Sequence, residues 1–85
     1  MMTNKEILKK QIIYRSMHRG TKEMDLLLGN FVKKYIDKLD SNELHDLDKL
    51  LFTEDEVIYK WYFENNLNNN IPNTKVSTML KNFKL

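Results

Sequence analysis

The sequence contains no cysteine, a single proline and only two glycines. Without cysteine the chain has no disulfide framework, no thiolate zinc site and no cysteine nucleophile, which excludes disulfide-stapled secreted scaffolds. No apolar run reaches the length of about 20 residues that a membrane-spanning helix needs. The amino terminus also lacks the continuous apolar segment and the small-residue cleavage site of a signal peptide. We therefore expect neither a membrane span nor a secretory leader.

Charge of one sign is equally scarce, because 14 Lys and Arg residues face 12 Asp and Glu residues and leave a net charge of +2. Acidic and basic residues are interspersed, whereas phosphate neutralisation requires a clustered basic stripe. The net charge therefore indicates no particular partner. A chain of 85 residues supports one small hydrophobic core, so we predict a single domain over residues 1–85.

The small number of helix-breaking residues and the lack of strict apolar alternation predict an all-α fold. N-cap residues followed three positions later by Glu form capping boxes, and this pattern occurs at Thr3, Asp40 and Thr53. Thr21 is expected to cap the second helix, and Asn73 or Thr74 the fifth. The predicted compact antiparallel bundle has five short helices, over residues 4–16, 22–39, 41–52 and 53–65 and in a final segment after an asparagine-rich loop at 65–73.

Apolar residues at i, i+3, i+4 and i+7 spacing mark the side of each predicted helix that faces the core. The second helix has the clearest stripe, which extends from Met24 to Leu39. The first helix has a narrower one. The predicted core positions are Ile7, Leu8, Ile12 and Tyr14 in the first helix and Val57, Ile58, Trp61 and Tyr62 in the fourth.

Groups for catalysis or metal binding are few. Neither His18 nor His45 has a histidine partner at the helical spacing of a metal site. Adjacent residues such as His45 and Asp46 diverge on a helix, so this polar segment is interpreted as a solvated face. The isolated glycines form no phosphate-binding loop. We expect no catalytic residue, no metal site and no enzymatic activity.

The aromatic run Tyr59-Lys60-Trp61-Tyr62-Phe63 places more bulky residues in a row than one side of a helix can bury. Exposed aromatic residues are typical of protein-contact surfaces. Tyr59 and Trp61 are therefore candidate partner-binding residues. The alternative is an edge of the core that the asparagine-rich loop partly covers.

Residues 19–25, with the sequence Arg-Gly-Thr-Lys-Glu-Met-Asp, lie between the first two predicted helices. Gly20 with a positive φ would end one helix, and Glu23 and Asp25 would complement the dipole of the next. This explanation leaves Arg19 without a role. A guanidinium beside a flexible glycine presents a fork of donors that grips a carboxylate or carbonyl of a partner. We therefore predict a docking surface at this position.

The chain resembles the small all-α assembly factors that promote covalent FAD attachment to the flavoprotein subunit of succinate dehydrogenase. The Arg-Gly-x-x-Glu signature of that family falls on Arg19, Gly20 and Glu23. The acid and leucine run that follows the signature resembles residues 25–28, and the likeness extends over residues 5–65. In this chain His18 stands where bacterial relatives usually carry a further arginine or lysine.

The resemblance implies a chaperone without catalytic activity of its own. Members of the family bind the FAD-containing domain of the flavoprotein, and a histidine of that subunit then attacks the flavin 8α-methyl group. FAD is thus carried by the client and not bound stably by the assembly factor. By resemblance Arg19 is the charged anchor, Gly20 the point of close approach and Glu23 the first-turn carboxylate. Asp25 and the neighbouring His18 complete the candidate partner-binding residues.

Other functions remain open at this level. Some bacterial relatives are described as antitoxin-like partners of a small membrane protein, and fumarate reductase is a second candidate client. A nucleic-acid-binding protein would show a steep dependence of binding on salt concentration. The resemblance implies a protein of the bacterial cytoplasm, or of the mitochondrial matrix if eukaryotic, and we expect a monomer in the free state.

Overall fold

The computed structural model describes residues 3–66 and 71–85, which form five α-helices and no strand. The helices are α1 (Asn4–Met17), α2 (Lys22–Tyr35), α3 (Ser41–Leu51), α4 (Asp55–Phe63) and α5 (Lys75–Asn82). This confirms the predicted all-α bundle of five short helices. Part of the predicted asparagine-rich loop, residues 67–70, lies outside the described residues.

Within the part of the chain that the structure describes, no helix combines the length and the apolar character needed to cross a membrane.

Most helix starts lie where the sequence predicts them. The Asp40 carboxylate accepts the amide of Glu43 at 2.8 Å, and the Glu43 carboxylate accepts the amide of Asp40 at 2.9 Å. This is the complete capping box predicted for α3. At the fifth helix Thr74, and not Asn73, is the cap. Thr3 and Thr21 each accept an amide of the first turn of their helix, as expected for N-caps.

The capping box predicted at Thr53 is wrong. The fourth helix begins at Asp55 after Glu54, which makes no side-chain cap bond. The Thr53 amide donates to the Leu50 carbonyl at 3.0 Å, so Thr53 belongs to the turn that ends α3. Its own carbonyl accepts a hydrogen bond from Arg19 at 2.8 Å. The start of α4 therefore lacks a side-chain cap, and the carbonyl just before it is bonded to a residue distant in the sequence.

One apolar core lies between the five helices and includes the predicted stripes of α2 and α3. The second helix ends at Tyr35, earlier than predicted, yet Ile36 and Leu39 remain buried beyond its end. The buried apolar residues are Ile12, Met24, Leu27, Leu28, Phe31, Val32, Ile36, Leu39, Leu44, Leu47, Leu50, Leu51, Ile58, Trp61, Val76 and Leu80.

The stripe predicted for α1 is only partly correct. Ile12 is buried, whereas Ile7 and Tyr14 are exposed. Ser16 takes a core position instead, with 1% of its surface exposed. Its hydroxyl donates to the Ile13 carbonyl at 2.8 Å, which satisfies the polar group inside the helix. Because serine is small, α1 can lie close to α2 at this point, and α1 packs against both α2 and α3.

Candidate functional site

Arg19 follows His18, the C-cap of α1, and its guanidinium reaches across to the connection between α3 and α4. Nε donates to Asp55 Oδ1 at 2.6 Å, Nη1 donates to the Leu51 carbonyl at 2.6 Å, and Nη2 donates to the Thr53 carbonyl at 2.8 Å. Leu51 is the last residue of α3, so its carbonyl has no partner within the helix. The side chain of Arg19 is 9% exposed. A single side chain therefore joins the ends of α1 and α3 to the start of α4.

The structure places the Arg19 guanidinium inside the chain, and its role as a partner anchor stays a prediction. The expected fork of donors does form, but it grips a carboxylate and two carbonyls of the same chain. Charge-assisted hydrogen bonds of this kind are strong, so the guanidinium is committed to the fold. The partners lie 32 to 36 positions away in the sequence, and no local pattern indicates such contacts.

Gly20 is required by a close approach, although not in the conformation predicted. Its φ is not positive, so the prediction of a left-handed residue at this position is wrong. The Gly20 amide donates to Asp55 Oδ2. A Cβ atom added to Gly20 would lie only 3.0 Å from the same oxygen. The absence of a side chain therefore admits the Asp55 carboxylate to the backbone of Gly20, and Gly20 itself is exposed.

The first turn of α2 holds the backbone of Arg19 from the other side. The Asp25 carboxylate accepts the Arg19 amide at 2.8 Å, and the Thr21 hydroxyl accepts the Met24 amide at 3.3 Å. Glu23 is exposed. Among the described residues no group forms a hydrogen bond or an ion pair with its carboxylate. Of the three signature residues, Glu23 is the one whose side chain is free for another molecule.

His18 forms the outer edge of residues 18–25, which we call the Arg19 junction. Its imidazole stacks on the Tyr14 ring, with centroids 3.9 Å apart and planes inclined by 18°. Nδ1 lies 2.9 Å from the Tyr14 carbonyl, and because a carbonyl only accepts, we assign the proton to that nitrogen. Nearby, the exposed Phe52 ring lies under the Arg15 guanidinium at 4.4 Å. His18 is thus an exposed ring held in one orientation.

The two candidate surfaces of the sequence meet in one groove. We call it the α2–α4 groove; it has a volume of about 400 Å³ and separates the first turn of α2 from α4. Tyr59 is 39% exposed, and its ring lies 4.8 Å from that of Phe63. The groove is lined by Gly20, Thr21, Met24, Asp55, Glu56, Tyr59, Lys60 and Glu64.

Trp61 lies outside the α2–α4 groove, and its role as a partner-binding residue stays a prediction. It is 9% exposed and is part of the core. Two residues along an α-helix correspond to a rotation of about 200°, so Tyr59 and Trp61 point to opposite sides of α4. Lys81 covers the indole from α5, with its ammonium 5.2 Å from the ring centroid.

Two features of the surface were not predicted. Asp55 was not singled out from the sequence, and its position between Arg19 and Gly20 depends on the tertiary fold. A second groove, of about 620 Å³, lies between α1 and α2 and is lined partly by the exposed residues Ile13, Met17 and Leu26. The run of three leucines at 26–28 could have indicated an exposed apolar residue here, since no helix face buries three consecutive positions.

The arrangement does not assemble a metal centre from the residues described. Over residues 3–66 and 71–85, no group of three His, Asp or Glu side chains has the geometry to hold a metal ion. The segment around His45 contributes Asp48 to an ion pair with Arg15. What the junction and the groove offer is an exposed carboxylate, accessible backbone and exposed aromatic rings.

Comparison with known proteins gives a consistent result. The family described as "Flavinator of succinate dehydrogenase" matches residues 10–84. Curated relatives named "Succinate dehydrogenase assembly factor 2, mitochondrial" include proteins of Meyerozyma guilliermondii, 41% identical over 61 residues, and Saccharomyces cerevisiae, 38% identical over 87 residues. These matches cover 72% and 95% of this chain and 45% and 54% of the respective relatives. The chain thus spans about half the length of the curated relatives that it matches.

Proposed function

We propose, on the premise that this chain belongs to the family of flavinators of succinate dehydrogenase, that it promotes covalent FAD attachment to the flavoprotein subunit of that enzyme. The family match is the observation that carries the proposal, because it extends over residues 10–84 and so includes both the Arg19 junction and the α2–α4 groove. It also confirms the family that the signature at residues 19–23 indicated.

The proposed role is that of a chaperone and not of an enzyme. The flavin and the client supply the bond-forming chemistry, and FAD stays with the client. The chain would bind the conformation of the client in which flavin and acceptor side chain are correctly placed, and binding would increase the population of that conformation. In support, Gly20 and Glu23 are exposed to solvent, whereas Arg19 and Asp25 form hydrogen bonds within the chain that hold the junction in shape.

The candidate residues have two different proposed roles, direct contact with the client and support of the junction. Glu23 is the proposed direct contact, because its carboxylate is exposed and is unpaired among the described residues. Gly20 offers exposed backbone for a close approach, and Tyr59 and His18 add exposed rings on either side. Arg19 and Asp25 hold the junction in place through the hydrogen bonds given above. The client surface would therefore meet a preformed site.

The proposed location follows that of the client, which is the bacterial cytoplasm or the mitochondrial matrix. The curated relatives are named as mitochondrial proteins. We propose that the free chain is a monomer and that the flavoprotein subunit of succinate dehydrogenase, or of the related fumarate reductase, is its direct partner.

Reconstitution of flavin attachment tests the proposal. Apo-flavoprotein subunit, FAD and the chain are incubated together, and covalent flavin is measured by fluorescence after denaturing electrophoresis. We expect the wild-type chain to increase covalent flavin strongly and Glu23→Gln to lose most of the increase. Glu6→Gln is the matched control, since it makes the same change in the first turn of α1. A wild-type chain that leaves covalent flavin unchanged would contradict the proposal.

A further inference from the structure

We propose that Asp55 is a positioning residue of the docking surface and that Arg19 affects the partner only through the structure that it builds with Asp55. The inference rests on the proposed function, because it concerns how the surface that binds the flavoprotein subunit is held in shape. Neither residue needs to contact the partner for both to be necessary.

The two oxygens of the Asp55 carboxylate have different partners. Oδ1 accepts from Arg19 Nε at 2.6 Å, and Oδ2 accepts from the Gly20 amide. Asp55 is the first residue of α4, and its side chain is 21% exposed. It therefore fixes the backbone of the junction relative to α4, and it does so at the residue where the signature of the family has its glycine.

Arg19 is unsuited to leave this arrangement for a partner. Its guanidinium would have to give up the Asp55 carboxylate and the carbonyls of Leu51 and Thr53. Those acceptors are only partly accessible to water, and a polar group left without a partner in such surroundings costs more free energy than the average hydrogen bond contributes. The guanidinium is therefore expected to remain inside the chain when the partner binds.

The consequence for the surface follows from its neighbours. Gly20, Thr21 and Tyr59 line the same α2–α4 groove as Asp55, and Glu23 lies in the helical turn that begins at Thr21. Loss of the Asp55 carboxylate releases Gly20 from α4, so the width of the groove and the position of the first turn of α2, which carries Glu23, are no longer fixed. Preorganised binding groups lose affinity when they must be ordered on binding.

The chain contains a matched control for this inference. Asp48 of α3 forms an ion pair with Arg15 of α1, four residues before Arg19. Asp48→Ala thus removes a carboxylate from a second Arg–Asp ion pair at the same end of α1. It leaves the lining of the α2–α4 groove intact. A loss of affinity caused merely by lower stability would follow the free energy of unfolding of each variant, whereas a positioning role predicts a loss for Asp55→Ala beyond what its lower stability explains and none for Asp48→Ala.

Binding of the purified chain to the FAD-loaded flavoprotein subunit is measured by calorimetry for Arg19→Ala, Asp55→Ala, the double variant and Asp48→Ala. For residues coupled in one network we expect each of the first two to weaken binding on the order of tenfold, with no further loss in the double variant. Asp48→Ala should bind as wild type does. Asp55→Asn, which keeps the shape and one acceptor, provides the same comparison if the alanine variant does not fold.

A second readout is independent of the partner. Hydrogen exchange of the Gly20 amide, followed by NMR, should become faster in Arg19→Ala and Asp55→Ala and stay unchanged in Asp48→Ala. Wild-type affinity of the Asp55 variants, losses that multiply in the double variant, or an equal loss in Asp48→Ala would each overturn the inference. A wild-type chain that does not bind the subunit would instead contradict the proposed function. The Gly20 exchange rates would then still test the role of Asp55, because they are measured without the partner.

Discussion

Arg15 and Arg19 are four residues apart, and both connect the end of α1 to a carboxylate elsewhere in the chain. Arg15 pairs with Asp48 and lies over the exposed ring of Phe52, with 32% of its side chain exposed. Arg19 is 9% exposed and donates to a carboxylate and two backbone carbonyls. The comparison shows that the same residue type serves in one place as a partly solvated link between two helices and in the other as a buried link between the ends of two helices and the start of a third.

The largest effect is expected for Arg19→Ala. The substitution leaves the Asp55 carboxylate and two carbonyls without their donor, and breaking a buried ion pair by removing one partner costs about 3 kcal/mol or more. Urea denaturation followed by circular dichroism measures the free energy of unfolding. A loss no larger than that of Arg15→Ala would show that the two arginines are equivalent and would break the comparison.

Gly20→Ala should have the next largest effect on stability. The new Cβ would meet Asp55 Oδ2 at 3.0 Å, and Asp55 has little freedom to move because Arg19 holds its other oxygen. Losing the hydrogen bond from the Gly20 amide to the carboxylate costs more than a less flexible unfolded chain gains. The free energy of unfolding should therefore fall by about 1 kcal/mol. Thermal unfolding of the variant checks this value.

Gly29→Ala is the matched control for that variant. A Cβ at Gly29 would lie 3.9 Å from the Ser16 carbonyl, an ordinary contact, and alanine favours a helix interior by about 1 kcal/mol over glycine. This variant should therefore be more stable than the wild type. If both glycine variants change stability in the same direction, close approach of Asp55 is not what requires glycine at position 20.

Asp48→Ala should reduce stability less than either change at the junction. Its partner Arg15 is partly exposed, and ion pairs of that kind contribute up to about 1 kcal/mol. Raising the salt concentration should reduce the difference further, because screening acts on exposed charges. The measurement is the free energy of unfolding of wild type and variant in low and high salt. A loss as large as that of Arg19→Ala would contradict the contrast between the two ion pairs.

Glu23→Gln is expected to change the free energy of unfolding least among these variants. Its effect on binding, relative to its effect on stability, should be the largest. The carboxylate is exposed, and its favourable position near the start of α2 contributes about 0.3 to 1 kcal/mol. Calorimetric titration with the flavoprotein subunit should nevertheless show a clear loss of affinity. A glutamine variant that binds as wild type does, with Glu6→Gln as the control, would remove Glu23 from the docking surface.

The parts of the structure that the sequence predicted depend on local information. The caps at Thr21 and Asp40 and the apolar stripe of α2 follow from spacings of three and four residues, and they were correct. The predicted start of α4 was wrong. The Thr53 carbonyl accepts a hydrogen bond from Arg19, which lies 34 positions earlier in the sequence. Asp55 was not recognised as part of the site for the same reason, since its partners lie 35 and 36 positions away.

Trp61 illustrates a different limit. The aromatic run at residues 59–63 showed that some of its rings face solvent, but the choice of which ones depends on where the other helices pack. The structure exposes Tyr59 and Phe63 and buries Trp61 against the core. Resemblance to a family indicated a candidate segment, whereas only the tertiary fold separates its exposed side chains from those that are bonded within the chain.

The most direct test is an NMR titration of the isotope-labelled chain with unlabelled flavoprotein subunit. If the Arg19 junction and the α2–α4 groove form the docking surface, the amide signals of residues 18–25 and 55–60 should broaden or shift first. Those of α5 should change least. Changes concentrated on α5, with the junction signals unaltered, would contradict the central claim that the flavoprotein binds where Arg19 and Asp55 shape the surface.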